Sequence, residues 1–218
     1  MSSACGARYQ PAKTCPTAGS RFDPSKDRLG VIRAFHLVKQ ETPAIQLVLA
    51  GGMATDDPQG GEVLEALRAA AAGDPDIRVF TNLGNLEVNA LQRAAFAVIQ
   101  KSVKEGFGPV VSEAFWKQTP VVAGNAGGIP LQFPAGYKEL LVGSAEECAE
   151  RLCALLKQPR IAQIFGVAGK AKVAAEFLLP RLLRDELRLF ADVMNGTVRR
   201  TEDTGKNPSQ RCSSRFNS

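Results

Sequence analysis

The sequence predicts an α/β fold: a Rossmann-like parallel sheet with helices on both faces. Two observations carry that expectation. Short apolar runs alternate along the chain with longer segments whose apolar residues recur every three or four positions, the order of a parallel sheet covered on both sides. One of those runs, Ala95-Phe-Ala-Val-Ile99, leads into a Gly-containing turn and then a helix, an order in which glycines let the backbone approach an anion and helix N-terminal amides face it.

The elements follow in sequence. Residues 1–19 are rich in Ala, Ser, Thr, Pro, Gly and Cys without periodicity and read as a disordered or unrelated tail. From Asp27 the apolar positions Leu29, Ile32, Phe35 and Val38 recur at helical spacing. Residues 45–50 (Ile-Gln-Leu-Val-Leu-Ala) read as a strand ending in Gly51-Gly52, followed by a helix over 61–72 and a short strand over 77–80. Residues 88–93 read as a helix leading into the buried strand at 95–99. Beyond the central loop, 120–123 and 139–142 read as short strands, with a Gly-rich loop between them. Residues 145–156, 161–177 and 182–194 carry three helical patterns, and 195–218 is polar and reads as a second disordered tail. The ordered domain is therefore expected over 20–194.

One position resists this pattern. A doubly wound sheet places its first strand centrally. Here the place before Arg21 is taken by Lys13-Thr-Cys-Pro-Thr-Ala-Gly19, which is polar and contains a proline. A buried central strand is normally Val/Ile/Leu-rich, and proline removes a ladder donor. The first strand is expected to be missing or poorly formed.

Composition narrows the function classes. The 218 residues are 44% hydrophobic, which suits a globular core, and no apolar run approaches the ~18 residues of a membrane span. No secretory h-region is visible at the N-terminus. The net charge is +5, but the basic residues are dispersed and not interleaved with aromatics, so neither nucleic acid nor membrane is expected as a partner. Five cysteines without a C-x-x-C pair fit reduced thiols in a cytoplasmic protein. His36, the single histidine, reads as packing on the apolar side of its helix, so no histidine-based metal site is expected. Asp56 and Asp57 precede Pro58 and read as a turn rather than a metal site. No cofactor is implied.

The candidate site is the stretch Glu105-Gly-Phe-Gly-Pro-Val-Val-Ser-Glu113, with two carboxylates at the ends of a Gly-rich turn and its helix. Phosphate-facing amides beside carboxylates that accept hydroxyl hydrogen bonds suit a nucleotide-sugar. Arg21 and Lys26 are the candidate cations for a diphosphate, although R-x4-K spacing equally suits a solvated turn. Glu113 also suits the plain reading of a first-turn glutamate favoured by the helix dipole. Gly106 and Gly108 shape the loop, and Phe107 reads as packing.

This stretch resembles the E-x7-E motif of retaining family-4 glycosyltransferases, which have a two-domain GT-B fold, and the resemblance runs from about Ser20 to Met194. Arg21-Phe-Asp-Pro-Ser-Lys26 is similar to the family's basic motif. Met53-Ala-Thr-Asp-Asp-Pro58, Glu87-Val-Asn-Ala-Leu-Gln-Arg93 and Gly127-Gly-Ile-Pro-Leu-Gln132 resemble the branch that forms trehalose from a nucleotide-activated glucose and glucose.

The resemblance implies the following. Arg21, Lys26, Gly106, Phe107, Gly108 and Glu113 bind the donor, with the two cations on the pyrophosphate and Glu113 on the ribose hydroxyls. Glu105 is catalytic, near the donor sugar, without being assigned as a nucleophile. The chain corresponds to the donor-binding, C-terminal half, the sugar acceptor being held by an N-terminal domain not present here, so the 218 residues alone are not expected to catalyse transfer. An inactive remnant or binding module, and a parent resembling trehalose phosphorylase, are the alternatives. Two residues depart from the family pattern: Asp27 stands where glycine is usual, inviting repulsion of phosphate or pairing with Lys26, and Pro109 lacks an amide N–H.

Overall fold

The computed structural model describes residues 13–52 and 58–196. The chain divides into two compact units, Met1–Phe177 and Leu178–Ser218. The first is α/β. Its strands are β1 (Lys13–Arg21), β2 (Ile45–Gly52), β3 (Ile77–Thr81), β4 (Val98–Gln100), β5 (Val121–Gly124) and β6 (Leu141–Val142). Its helices are α1 (Arg28–Glu41), α2 (Pro58–Ala71), α3 (Asn85–Ala94), α4 (Pro109–Trp116), α5 (Ile129–Gln132), α6 (Ala145–Lys157) and α7 (Pro159–Glu176). In the second unit the described element is α8 (Leu179–Met194), where Arg181 and Asp185 pair one turn apart at 2.8 Å.

Among the described residues all strand pairings are parallel. Hydrogen-bonded ladders give the orders β1-β2-β3 and β4-β5-β6, and β1 runs beside β4. The combined order 3-2-1-4-5-6 is that of a doubly wound sheet, with its reversal between β1 and β4. Strands 2, 4 and 5 are buried almost throughout, which explains their continuous apolar runs; β3 alternates between buried and more exposed positions, as a flanking strand does.

A first strand does form, contrary to the expectation from its polar sequence. β1 begins at Lys13, inside the stretch read as a tail, and pairs with β2 from Lys13↔Ile45 to Arg21↔Gly52, with an irregularity between Thr17 and Ser20. Pro16 lies in register with Val48. Among the described residues β1 has a ladder only on its β2 side, and a strand with one unpaired side tolerates proline. Residues 1–12, 53–57 and 197–218 lie outside the description, and with them most of both expected tails, Met53 and the Asp56-Asp57 turn.

The helices form for local reasons. In α1, Val31, Ile32, Ala34, Phe35 and Val38 are buried on one stripe. His36 is not part of it: the ring is half-exposed and lies 3.6 Å from Asp74, correcting its assignment to packing. Asp74 and Asp76 also hold Lys39, at 2.5 and 2.7 Å, tying α1 to the approach to β3. Helix α6 starts at Ser144, whose side chain accepts from the Glu147 amide at 3.0 Å, and it packs on α1. Cys148 and Cys153 are buried in it as thiols. Helix α4 packs on α7 so closely that a Cβ at Gly169 would enter the Phe115 ring.

Candidate donor site

Doubly wound sheets bind ligands beyond the carboxyl ends of their strands, at the point where strand order reverses. Every sequence-selected side chain falls there. Arg21 ends β1, Lys26 closes the 3-10 turn Pro24–Lys26 that follows it, and Glu105 sits in the loop after β4. The two loops are joined across the reversal: the Val103 amide donates to Ser25 O at 2.8 Å, and Lys26 Nζ donates to Glu105 Oε2 at 2.6 Å.

Two subsites result. Arg21 and Glu113 line one pocket of about 250 Å³ together with Gly51, Gly52, Asn85 and Val88. Lys26 and Glu105 form the other, as an ion pair whose side chains are 16% and 11% exposed. The Gly106–Gly108 backbone connects them and leads into α4, with Gly108 as N-cap at φ 75° and Pro109 in the first helical turn, where a missing N–H costs least. Phe107 is 41% exposed and packs against Phe177 with ring centres 5.5 Å apart.

Glu105 is held from several sides. Gln100 Nε2 and Ser102 Oγ donate to its Oε2 at 3.3 and 3.2 Å, and the Gly106 amide donates to Oε1 at 3.2 Å. Partial burial pushes this carboxyl upward, but Lys26, Gln100 and Ser102 outweigh that effect and hold it below the usual carboxylate range. A carboxyl depressed in the folded state adds stability above its unfolded pKa, and the contribution is lost as pH falls through the folded value. Lys26→Met is therefore expected to destabilise the protein at neutral pH by about 1–3 kcal/mol, because a part-buried charge loses its partner. The difference in Tm from the unsubstituted chain is expected to close as pH falls below the ordinary glutamate value of 4.5; a gap that persists in acid would assign Lys26 a different role.

Asp27 pairs with neither Lys26 nor an open phosphate site. Its Oδ2 binds the buried Lys101, and its Oδ1 accepts from the Gly30 amide at 3.1 Å, capping α1. The residue is left-handed, at φ 42°, which explains why glycine also suits the position. The carboxylate thus arrives with its own counter-charge and pins the turn bearing Lys26.

The buried polar side chains share a pattern that sequence reading missed. Among the described residues they are Arg28, Gln92, Gln100, Lys101, Ser102, Thr119 and Gln132. Burying polar groups is costly unless they are bonded, and here they hold the site. Gln100 and Ser102 hold Glu105, Lys101 holds Asp27, and Gln92 donates to Glu113 at 3.1 Å. Thr119 donates to Gln92 O at 2.7 Å, and Gln132 donates to the carbonyls of Phe107 and Gly108. Arg28 donates to Ala50 O at 2.9 Å beside the pocket and lies 4.8 Å from the Phe22 ring centre; burial lowers its guanidinium to about 10. The loop Gly127-Gly128 is also structural to the site, since the Gly128 amide donates to Gly106 O at 2.7 Å.

Residues 18–172 match the family model described as Glycosyl transferases group 1. The chain belongs to this family. It is 52% identical over 178 residues to the trehalose synthase of Rubrobacter xylanophilus, covering 80% of this chain and 42% of that protein. Sucrose-phosphate synthase of Thermosynechococcus elongatus superposes with a TM-score of 0.71 at 24% identity, covering 86% of this chain and 47% of the other. HepE of Anabaena, solved in complex with UDP-glucose, superposes with a TM-score of 0.70 at 20% identity, covering 83% and 49%. These structures are GT-B glycosyltransferases, and the chain spans about half the length of each of these three proteins. No helix among its described residues is long and apolar enough to cross a membrane.

Proposed function

We propose that this chain, over about residues 20–194 with the start of β1 added, is the donor-binding half of a retaining glycosyltransferase that forms trehalose from a nucleotide-activated glucose and glucose. The observation that carries this reading is the juxtaposition, at the strand-order reversal, of the Arg21–Glu113 pocket with the Lys26–Glu105 pair. A pocket of about 250 Å³ suits a nucleoside rather than a whole nucleotide-sugar. In this reading the ribose lies at Glu113 and the diphosphate between Arg21 and Lys26. The resemblance to trehalose synthase supplies the glucosyl donor and acceptor.

Transfer leaves negative charge on the departing diphosphate, and fixed cations that stabilise it lower the barrier. Arg21 offers a planar fork and Lys26 a point charge. Without ligand, Lys26 is held by Glu105; a diphosphate is a stronger anion and draws it away. Glu105 then accepts a donor-sugar hydroxyl and stabilises positive charge at the anomeric carbon, while Gln100 and Ser102 keep it in place. Gly106, Phe107 and Gly108 shape the floor between the subsites. The acceptor is bound by protein outside these 218 residues, and the cytoplasm, where nucleotide-sugars and reduced thiols coexist, is the compartment this implies.

Glu113→Gln tests the ribose assignment. It is expected to weaken uridine and uridine diphosphate alike, by about tenfold or more, because both carry the ribose and a hydrogen bond to a charged group is lost. Incubated with nucleotide-glucoses and glucose, the 218 residues are expected to yield no trehalose above a protein-free blank, since transfer needs donor and acceptor held in one cleft. Turnover above that blank would show that the chain builds its own acceptor site.

A further inference from the structure

We propose that Gln92 is a positioning residue for Glu113 and thereby sets the preference of this site for ribose over deoxyribose nucleotides; this rests on the donor-site reading above. Gln92 lies near the end of α3, in the segment Glu87–Arg93. The two ends of that segment do different work. Glu87 accepts from the Gly84 amide at 2.7 Å and starts the helix. Gln92 reaches out of it, donating from Nε2 to Glu113 Oε2 at 3.1 Å across 21 positions of sequence.

The surroundings of this amide separate a functional role from a stabilising one. Gln92 is 0% exposed, and its buried Oε1 has no hydrogen-bond partner among the described residues. A buried acceptor without a partner is unfavourable, and an apolar side chain of the same length would avoid it. What the amide alone supplies is the N–H on Glu113. Its orientation is fixed by chemistry, because an ionised carboxylate only accepts and the amide must present nitrogen. Glu113 itself is exposed at the pocket and would otherwise sample many rotamers. Tying one carboxylate oxygen leaves the other for a ligand hydroxyl, and a neutral donor does this without cancelling the negative charge.

The test is calorimetric titration of the full chain with uridine and adenosine diphosphates, each beside its 2′,3′-dideoxy form, together with melting of the ligand-free protein. The unsubstituted chain is expected to prefer the ribose form by about ten- to a hundredfold. In Gln92→Met that preference is expected to shrink several-fold, with affinity for the dideoxy form unchanged and Tm unchanged or raised. Gln92→Glu keeps the shape, removes the donor and sets two carboxylates face to face; it is expected to abolish the preference. An unaltered preference in both variants overturns the proposal. So does equal weakening of both nucleotide forms with a lowered Tm, which would mark Gln92 as structural only. Diphosphate binding with no ribose preference in the unsubstituted chain would instead overturn the Glu113 assignment on which the proposal rests.

Discussion

Gly127→Ala is expected to collapse the proposed donor site, whereas Gly106→Ala is expected to leave the fold intact. Gly127 has φ 53°, and a Cβ there would land inside the backbone carbonyl of Glu105. Neither group can swing aside, because the contact is with backbone and the neighbouring Gly128 amide is bonded to Gly106 O. A left-handed alanine costs about 1–2 kcal/mol, and overpacking typically adds about 1–3 kcal/mol. Together that is about 2–5 kcal/mol, or a fall of about 4–20 °C in Tm for a chain of this size. The same displacement moves Glu105 away from Lys26, so nucleotide binding is expected to fall with stability. At Gly106 an added Cβ meets nothing within 4 Å. Its alanine variant is expected to melt within a few degrees of the unsubstituted chain and to show any effect only in donor affinity. Thermal melting of the two variants decides between these outcomes.

Arg21→Ala is expected to give the largest loss in ligand affinity: about ten- to a hundredfold for a nucleoside diphosphate, with the free nucleoside nearly unaffected. Arg21 is exposed at the end of β1, and no ion pair is found for it among the described residues. Lys26 must first give up Glu105 at 2.6 Å. Its net gain on meeting a phosphate is the difference between two charged partners, so Lys26→Ala is expected to cost less than Arg21→Ala. Salt weakens diphosphate binding through screening and leaves the nucleoside largely untouched. Titrations of both variants with uridine diphosphate and uridine check the order; a larger effect at Lys26 would mean that its pair with Glu105 opens without cost.

Much of the fold was legible because it is locally encoded. The stripe of Ile32, Phe35 and Val38 announces α1, and the unbroken apolar runs before Gly51 and in 95–99 announce buried strands. What escaped notice depends on partners far away in sequence. β1 has no apolar signature of its own and exists because Lys13–Arg21 finds the edge of β2. Helix α5 is four residues long, too short to leave a period. The Asp27 carboxylate looked like an intruder near a phosphate because its partner, Lys101, lies 74 positions away. Gln92 and Gln132 lie in two of the family-like segments and Gln100 in none, yet nothing in those segments says what the side chains hold; only the folded chain shows them behind the site. By contrast Arg21, Lys26, Glu105 and Glu113 were readable as a set, since Gly-rich turns and motif carboxylates keep their spacing whatever the surrounding strands do.

The central claim is that these residues form a donor site for a nucleotide-linked sugar. Titration of the 218-residue chain with UDP-glucose, ADP-glucose, the corresponding diphosphates and the free nucleosides, at low and high salt, tests it most directly. The account predicts saturable one-to-one binding of at least one nucleotide series, tighter for the diphosphates than for the nucleoside and weakened by salt in proportion to charge. Absence of binding by every nucleotide at millimolar concentration, or equal affinity for diphosphate and nucleoside, would contradict it.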